Sequence, residues 1–343
     1  MLCRVIAFVF LMGSMSATLV AQDTESTADG ETAARRGQTA ERNRLWAEAQ
    51  QLASEGKRAK AIQVGEAVLA IERRLHVDAH KELAVTLEWL AHRSLDKSDA
   101  AKASNFAAEL WRVQEALLGK DHWQTVNARL LLDYANKLGL ATPAVLRDMV
   151  AIEAESESLS AGKKYTESAA KLRELLLLEQ QVLGNDHPFC GETWYYIANK
   201  LAAAEQYRHA ETAAKRAFEN RMRHLGDRHP DTAQSAWLVA LSRIRQGNHA
   251  QALDPLVLAR DIWRSTGHLE DQAWMDSWRG DSLVALDQTR EASIAYRSAV
   301  DVFRQLGNSD GEARHLKKLA DLDGSIDLVS ERNGIWERED TAK

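Results

Sequence analysis

From Arg44 onward the apolar residues of this chain recur at i, i+3, i+4 and i+7 in nearly every window, and no run alternates with period two for long enough to make a strand. The pattern predicts an all-α protein. Small residues add a longer period: Ala49 and Ala61, Ala91 and Ala103, Ser156 and Ser168, Ala198 and Ala210, Ala240 and Ala252, and Gly280 and Ala292 each stand twelve apart, and most successive pairs fall about forty-two residues from the last. A period of that size marks a solenoid, in which every unit contacts only its neighbours. Each unit reads as two antiparallel helices joined by a tight turn. The paired small residues let the two backbones approach where a longer side chain would hold them apart.

The first unit runs from Arg44 to Leu75 with its turn at Glu55-Gly56-Lys57, and the second from Lys81 to Leu118 with its turn around Asp96 to Asp99; later units end at Leu183, Leu225, Ser265 and Leu306. One helix, Gln124 to Leu138, is unpaired by count. It aligns with the first helix of a unit through Ala135, yet the next small pair begins only half a period further on, at Ser156. The expected organisation is therefore a first sub-array at 44–138, a break at 139–143 and a second sub-array at 144–306. Pro143 suits the first position of the helix that follows the break. Residues 307–323 read as a capping helix, with Leu316, Leu319 and Leu322 on one side, and 324–343 as a loose tail that Trp336 could dock.

Two stretches precede the array. Residues 1–21 carry Arg4, an apolar run from Val5 to Met12 and a small, apolar end, the pattern of an export signal; the expected location is periplasmic or secreted, the alternative an uncleaved membrane anchor over residues 5–21. Residues 22–43 hold almost no large apolar side chain and read as a flexible leader.

Between units the chain reads Leu118-Gly119-Lys120-Asp121-His122, Leu183-Gly184-Asn185-Asp186-His187-Pro188 and Leu225-Gly226-Asp227-Arg228-His229-Pro230. Glycine at a helix end can take a left-handed conformation, and proline in the first turn of the next helix loses no hydrogen bond. These turns, with Ile197-Ala198 followed by Tyr207, Ala210 and Ala217, resemble the tetratricopeptide repeats of the kinesin light chain type, over roughly Arg44 to Leu306. The resemblance implies a right-handed superhelical solenoid whose inner face is lined by first helices and holds short peptide segments of partner proteins. It implies an adaptor without catalytic activity. Carried over by position, the groove residues are Glu88 and His92, Leu132 and Asn136 in the odd helix, Tyr195 and Asn199, Trp237 and Leu241, and Trp274 with Asp281. An asparagine there can donate to and accept from an extended peptide backbone without reading its sequence.

Composition narrows the partners. The 343 residues carry a formal net charge of -6, and the aromatic residues are not interleaved with basic clusters, which argues against nucleic acid. Cys3 lies in the signal, so the mature chain keeps Cys190 alone and no intrachain disulfide; Cys190 reads as a small, partly buried residue. His76 and His80 are four apart but fall in a turn, and His122, His187 and His229 recur because the repeat recurs. Glu153, Glu155 and Glu157 read as a solvated helix side. Gly119-Lys120 and Gly162-Lys163 lack the rest of a phosphate loop, and no His-Glu-x-x-His, Gly-x-Ser-x-Gly or CxxC occurs. No catalytic residue, metal site or cofactor is expected. Two other readings stay open: a regulatory subunit docking on an enzyme by its convex surface, and a structural array that self-associates.

Overall fold

The computed structural model describes residues 33–75, 79–96 and 99–333; the signal segment, Cys3, His76 and Trp336 lie outside the described residues. These residues form fourteen α-helices and no strand. They are α1 (Ala33–Ser54), α2 (Arg58–Leu75), α3 (Lys81–Asp96), α4 (Ala100–Leu118), α5 (Trp123–Leu140), α6 (Pro143–Ala161), α7 (Tyr165–Leu183), α8 (Pro188–Ala203), α9 (Tyr207–Leu225), α10 (Pro230–Ile244), α11 (His249–Ser265), α12 (Leu269–Val284), α13 (Thr289–Gln305) and α14 (Ser309–Asn333). Consecutive helices pack on one another from α1 to α5 and from α9 to α14. The all-α expectation holds over the described residues, and no helix among them is long and apolar enough to cross a membrane.

The twelve-residue pairs do what their size allows. Ala49, Ala61, Ala91, Ala103, Ser168, Ala198, Ala210, Ala240, Ala252 and Ala292 are fully buried, and Ser156 nearly so. Gly280 shows why even alanine is too large in one place: a Cβ built there would lie 2.3 Å from Cε1 of Tyr296 on α13. The turn glycines Gly119, Gly184 and Gly226 have φ of +85°, +99° and +86°. With ψ of 163° and 180°, Gly119 and Gly226 occupy the mirror image of the extended region, not the left-handed helical one. A side chain is excluded from either.

The chain divides into two compact units. Unit 1 comprises the chain up to Lys163 together with Lys171–Phe189; unit 2 comprises Lys164–Ala170 and the chain from Cys190. The division therefore misses the Gly139 to Pro143 break, where the sequence led us to expect it. Side chains of the odd helix explain the difference. Within unit 1, Tyr134 of α5 stacks on Phe189 with ring centres 4.0 Å apart, His187 Nε2 lies 2.9 Å from Asp133 Oδ2, and Lys137 Nζ donates to the Leu183 carbonyl at 3.1 Å. The break between α5 and α6 is only a turn inside one body. A small cleft lies beside it, lined by Leu95, Tyr134, Leu138, Leu146, Met149 and Leu175 among others, with the buried carboxylates Glu153 and Glu179 in its wall. Glu153 thus belongs to the interior, not to a solvated side.

Two ends differ from expectation. α1 begins at Ala33, so residues 33–43, expected in a flexible leader, are helical. Apolar periodicity could not reveal this because the anchor is ionic: Arg42 Nε donates to Oε1 of the fully buried Glu72 on α2 at 2.7 Å. α14 continues to Asn333, ten residues into the stretch expected to be a loose tail.

Candidate functional site on the first helices

In unit 2 the helix α10 is enclosed on three sides. Thr232, Ala233, Ser235, Ala236, Leu238, Val239, Ala240 and Ser242 are all buried, while Asp231, Gln234, Trp237, Leu241 and Ile244 form a half-exposed row three or four residues apart. α12 repeats the arrangement with Asp271, Trp274, Trp278 and Asp281. On α8 the corresponding row is Glu192, Tyr195 and Asn199. Arg243 on α10, Arg279 on α12, and Trp194, Tyr196 and Lys200 on α8 are half-exposed outside these rows.

Each proposed groove residue can be placed on these rows. Tyr195 lies under the guanidinium of Arg221, 4.5 Å from its ring centre, and burial raises its hydroxyl above the usual value. Arg221 is itself held by the Asp231 carbonyl and Ser235 Oγ, both at 2.8 Å. Asn199 donates its Nδ2 to the Tyr195 carbonyl one turn back, at 3.2 Å, so its amide is turned onto its own helix. Trp237 packs against the α10–α11 core and keeps its outer side open; Leu241, four residues on, is equally half-exposed. Trp274 and Asp281 are more committed. Trp274 meets Phe303 edge-on at 5.4 Å with Arg314 over its face at 5.4 Å, and Asp281 accepts from Tyr296 Oη at 2.6 Å and from Lys318 Nζ at 2.5 Å. These two residues join α12 to α13 and α14.

In unit 1, Glu88 and His92 sit one turn apart on α3. Both are half-exposed yet densely surrounded, as in a recess: burial lifts the Glu88 carboxyl to about 7 and lowers the His92 imidazole to about 4. Leu132 and Asn136 sit one turn apart on α5; Asn136 is exposed, and its Oδ1 accepts from Ser104 Oγ on α4 at 2.6 Å.

Asp271 and Trp278 were missed. Both were legible, because they continue the i, i+3, i+7 spacing through Trp274, whereas the family pattern carried over only two positions per helix. Asp271 is held up to about 6 by burial and by the like charge of Glu270. Among the described residues no group of three histidine, cysteine or acidic side chains is placed to hold a metal ion. The turn histidines have a structural use instead: Nδ1 of His80, His122, His187 and His229 accepts the backbone N–H two residues on, at 3.1 to 3.3 Å. Cys190 is fully buried, deeper than the partial burial expected.

No family model matches the chain. Over 148 residues, 43% of the chain, it is 29% identical to kinesin light chain-related protein 1 of Arabidopsis thaliana, and over 132 residues it is 30% identical to kinesin light chain-related protein 2 of the same plant. Over these stretches the chain is similar to kinesin light chain-related proteins. The matches span 24% and 20% of the length of those relatives. Among solved structures, BtubC (BKLC) from P. vanneervenii is 14% identical, with 81% of this chain and 93% of that one covered and a TM-score of 0.41. The apo form of RapI is 15% identical, with 74% and 75% covered and a TM-score of 0.49.

Proposed function

We propose that this protein is a non-catalytic, exported adaptor that holds an extended segment of a partner protein along the open rows of its first helices. The observation that supports this best is the half-exposed row on α10, echoed on α12, in which polar and large apolar side chains share one strip of a largely buried helix. Rigid helices lose little entropy when such a face is covered, so several shallow contacts can add up. The kinesin light chain-related relatives match less than half of the chain, and the partner is therefore to be sought by experiment.

The test uses the chain from residue 22 on and peptide arrays tiled from the proteins that co-purify with it. Asn199→Ala and Trp237→Ala are expected to weaken bound peptides about tenfold, the effect of truncating a central contact, and to leave the circular dichroism spectrum nearly unchanged, Trp237→Ala also lowering the melting temperature through its lost packing on the core. If either substitution unfolds the array, or neither alters binding, the face is wrongly assigned.

A further inference from the structure

His315 of α14 is fully buried, and both of its ring nitrogens are engaged. Nδ1 lies 2.7 Å from the Gly311 carbonyl one turn back, and Nε2 lies 2.7 Å from Ser277 Oγ on α12. A carbonyl only accepts, so Nδ1 carries the proton and Nε2 accepts from the serine hydroxyl. The ring is neutral in this arrangement. Its surroundings are aromatic: Phe303 of α13 stacks on it with ring centres 5.1 Å apart, Tyr296 of α13 stands at 6.3 Å, and Trp274 of α12 meets it edge-on at 6.0 Å. Gly311 brings the first turn of α14 against Phe303 as well, for a Cβ there would lie 2.7 Å from that ring. One imidazole thus sits where α12, α13 and α14 meet.

Protonation unsettles this arrangement. A proton on Nε2 makes it a second donor, aimed at a hydroxyl oxygen that Lys318 Nζ also approaches at 3.5 Å. The charges that reach the ring are Lys318 and Arg314 of α14, which oppose a further cation, and Asp281 of α12, which favours one; α13 faces it with the rings of Phe303 and Tyr296. Asp281 is already taken by Lys318 and by the Tyr296 hydroxyl. A buried charge without a counter-ion of its own is strongly disfavoured, and burial accordingly holds His315 below its ordinary 6.5.

α14 has little else to hold it. Over residues 309–322 its buried positions are Gly311, His315 and Leu322, whereas α13 buries eight side chains, from Ala292 to Phe303. An element with so few buried contacts opens before its neighbours do. We infer that α14 is an acid-released cap: with His315 neutral it stays docked on α12 and α13, and on protonation of the ring it detaches, uncovering Trp274, Tyr296 and Phe303 and freeing Asp281 from Lys318. The device needs no ligand, so it holds whether or not the open rows take a peptide.

Hydrogen–deuterium exchange of the full chain at pH 7.5 and pH 5, corrected for intrinsic rates and read by mass spectrometry, follows α14 with α4 as reference. Opening of α14 is expected to become about thirtyfold more frequent at pH 5, the ratio that linkage gives when the released ring titrates at 6.5 and the docked ring stays neutral. α4 should change little. His315→Gln, uncharged at both pH values, should protect α14 equally at the two. If that variant leaves α14 open throughout, exchange of the histidine C2 proton in the parent chain decides, and His315 is expected to titrate below 6.5. An α14 whose opening is the same at both pH values, an α4 that opens as much as α14, a His315→Gln variant as acid-sensitive as the parent, or a His315 that titrates at or above 6.5 overturns the inference.

Discussion

Arg42 and Thr86 converge on one oxygen of Glu72: Arg42 Nε donates to Oε1 at 2.7 Å and Thr86 Oγ1 to the same atom at 2.9 Å, so a single buried carboxylate ties α1, α2 and α3 together. Burial holds the Glu72 carboxyl above its ordinary value even beside the guanidinium. Removing the cation leaves an uncompensated charge inside the protein, which costs about 3 to 5 kcal/mol. Arg42→Met is therefore expected to lower the stability of the array by that much in urea titration, and Arg42→Met with Glu72→Met to recover most of it. A loss below about 1 kcal/mol for the single variant, the range of exposed pairs, would show that α1 is held by something else.

The same pair marks where the sequence was legible and where it was not. Helix positions from Arg58 to Gln305 follow the apolar period, and the predicted unit ends at Leu75, Leu118, Leu183, Leu225 and Ser265 coincide with observed helix ends. The small pairs were equally readable because packing at Ala198 or Ala240 depends on the size of the residue itself. Residues 33–43 were not, since their hold on the fold is a charge that meets its partner thirty positions away. The join of α5 to Leu183–Phe189 was hidden for a similar reason. It rests on Asp133, Tyr134 and Lys137 reaching residues about fifty positions on. On the candidate face, the spacing gave the rows, but not which members are already engaged: nothing in the sequence says that Asp281 is taken by Lys318.

Gly280 marks a close helix approach open to a simple test. A methyl group there would overlap three atoms of the Tyr296 ring, which is itself fixed by its hydroxyl's bond to Asp281. Overpacking of this kind costs about 1 to 3 kcal/mol. Gly280→Ala should reduce stability by that amount in thermal or urea unfolding. Gly37→Ala in the exposed first half of α1, where nothing lies within 4 Å of the added carbon, should instead raise it slightly. Equal effects at the two positions would mean that α12 and α13 are not so close.

The turn histidines act as helix caps, a use that explains their recurrence without any chemistry. His229 Nδ1 accepts the Asp231 N–H at 3.1 Å, and the ring is almost wholly buried. Loss of a cap costs about 0.5 to 2 kcal/mol. We expect His229→Ala to reach or exceed the upper end, because a cavity adds to the lost bond, and His229→Asn to restore part of it. Capping through Nδ1 needs the neutral ring. Burial lowers the His122 pKa below its ordinary 6.5. Its contribution is complete above that unfolded value and is lost as pH falls below it, so His122→Asn should be less sensitive to acidification between pH 7 and 5 than the parent. Identical pH profiles would count against the cap.

Glu88 and His92 should give opposite pH signatures from one face of α3. The Glu88 carboxyl is raised by burial from 4.5 to about 7, so its stabilising state is the neutral one: the contribution is full below pH 4.5 and is lost as pH rises through 7. Glu88→Gln keeps the neutral shape at every pH. It is therefore expected to stabilise the protein at pH 8 by about 1 to 3 kcal/mol, allowing for partial solvent access, and to change little at pH 4. The His92 imidazole is lowered from 6.5 to about 4, so its contribution is full above 6.5 and disappears as pH falls toward 4. His92→Gln should stabilise at pH 4 and not at pH 8. Melting temperatures of the two variants across that interval separate desolvation from a mutual ion pair, because an ion pair would make both substitutions destabilising between pH 5 and 6. That outcome would also remove the reason for placing the two residues in a recess.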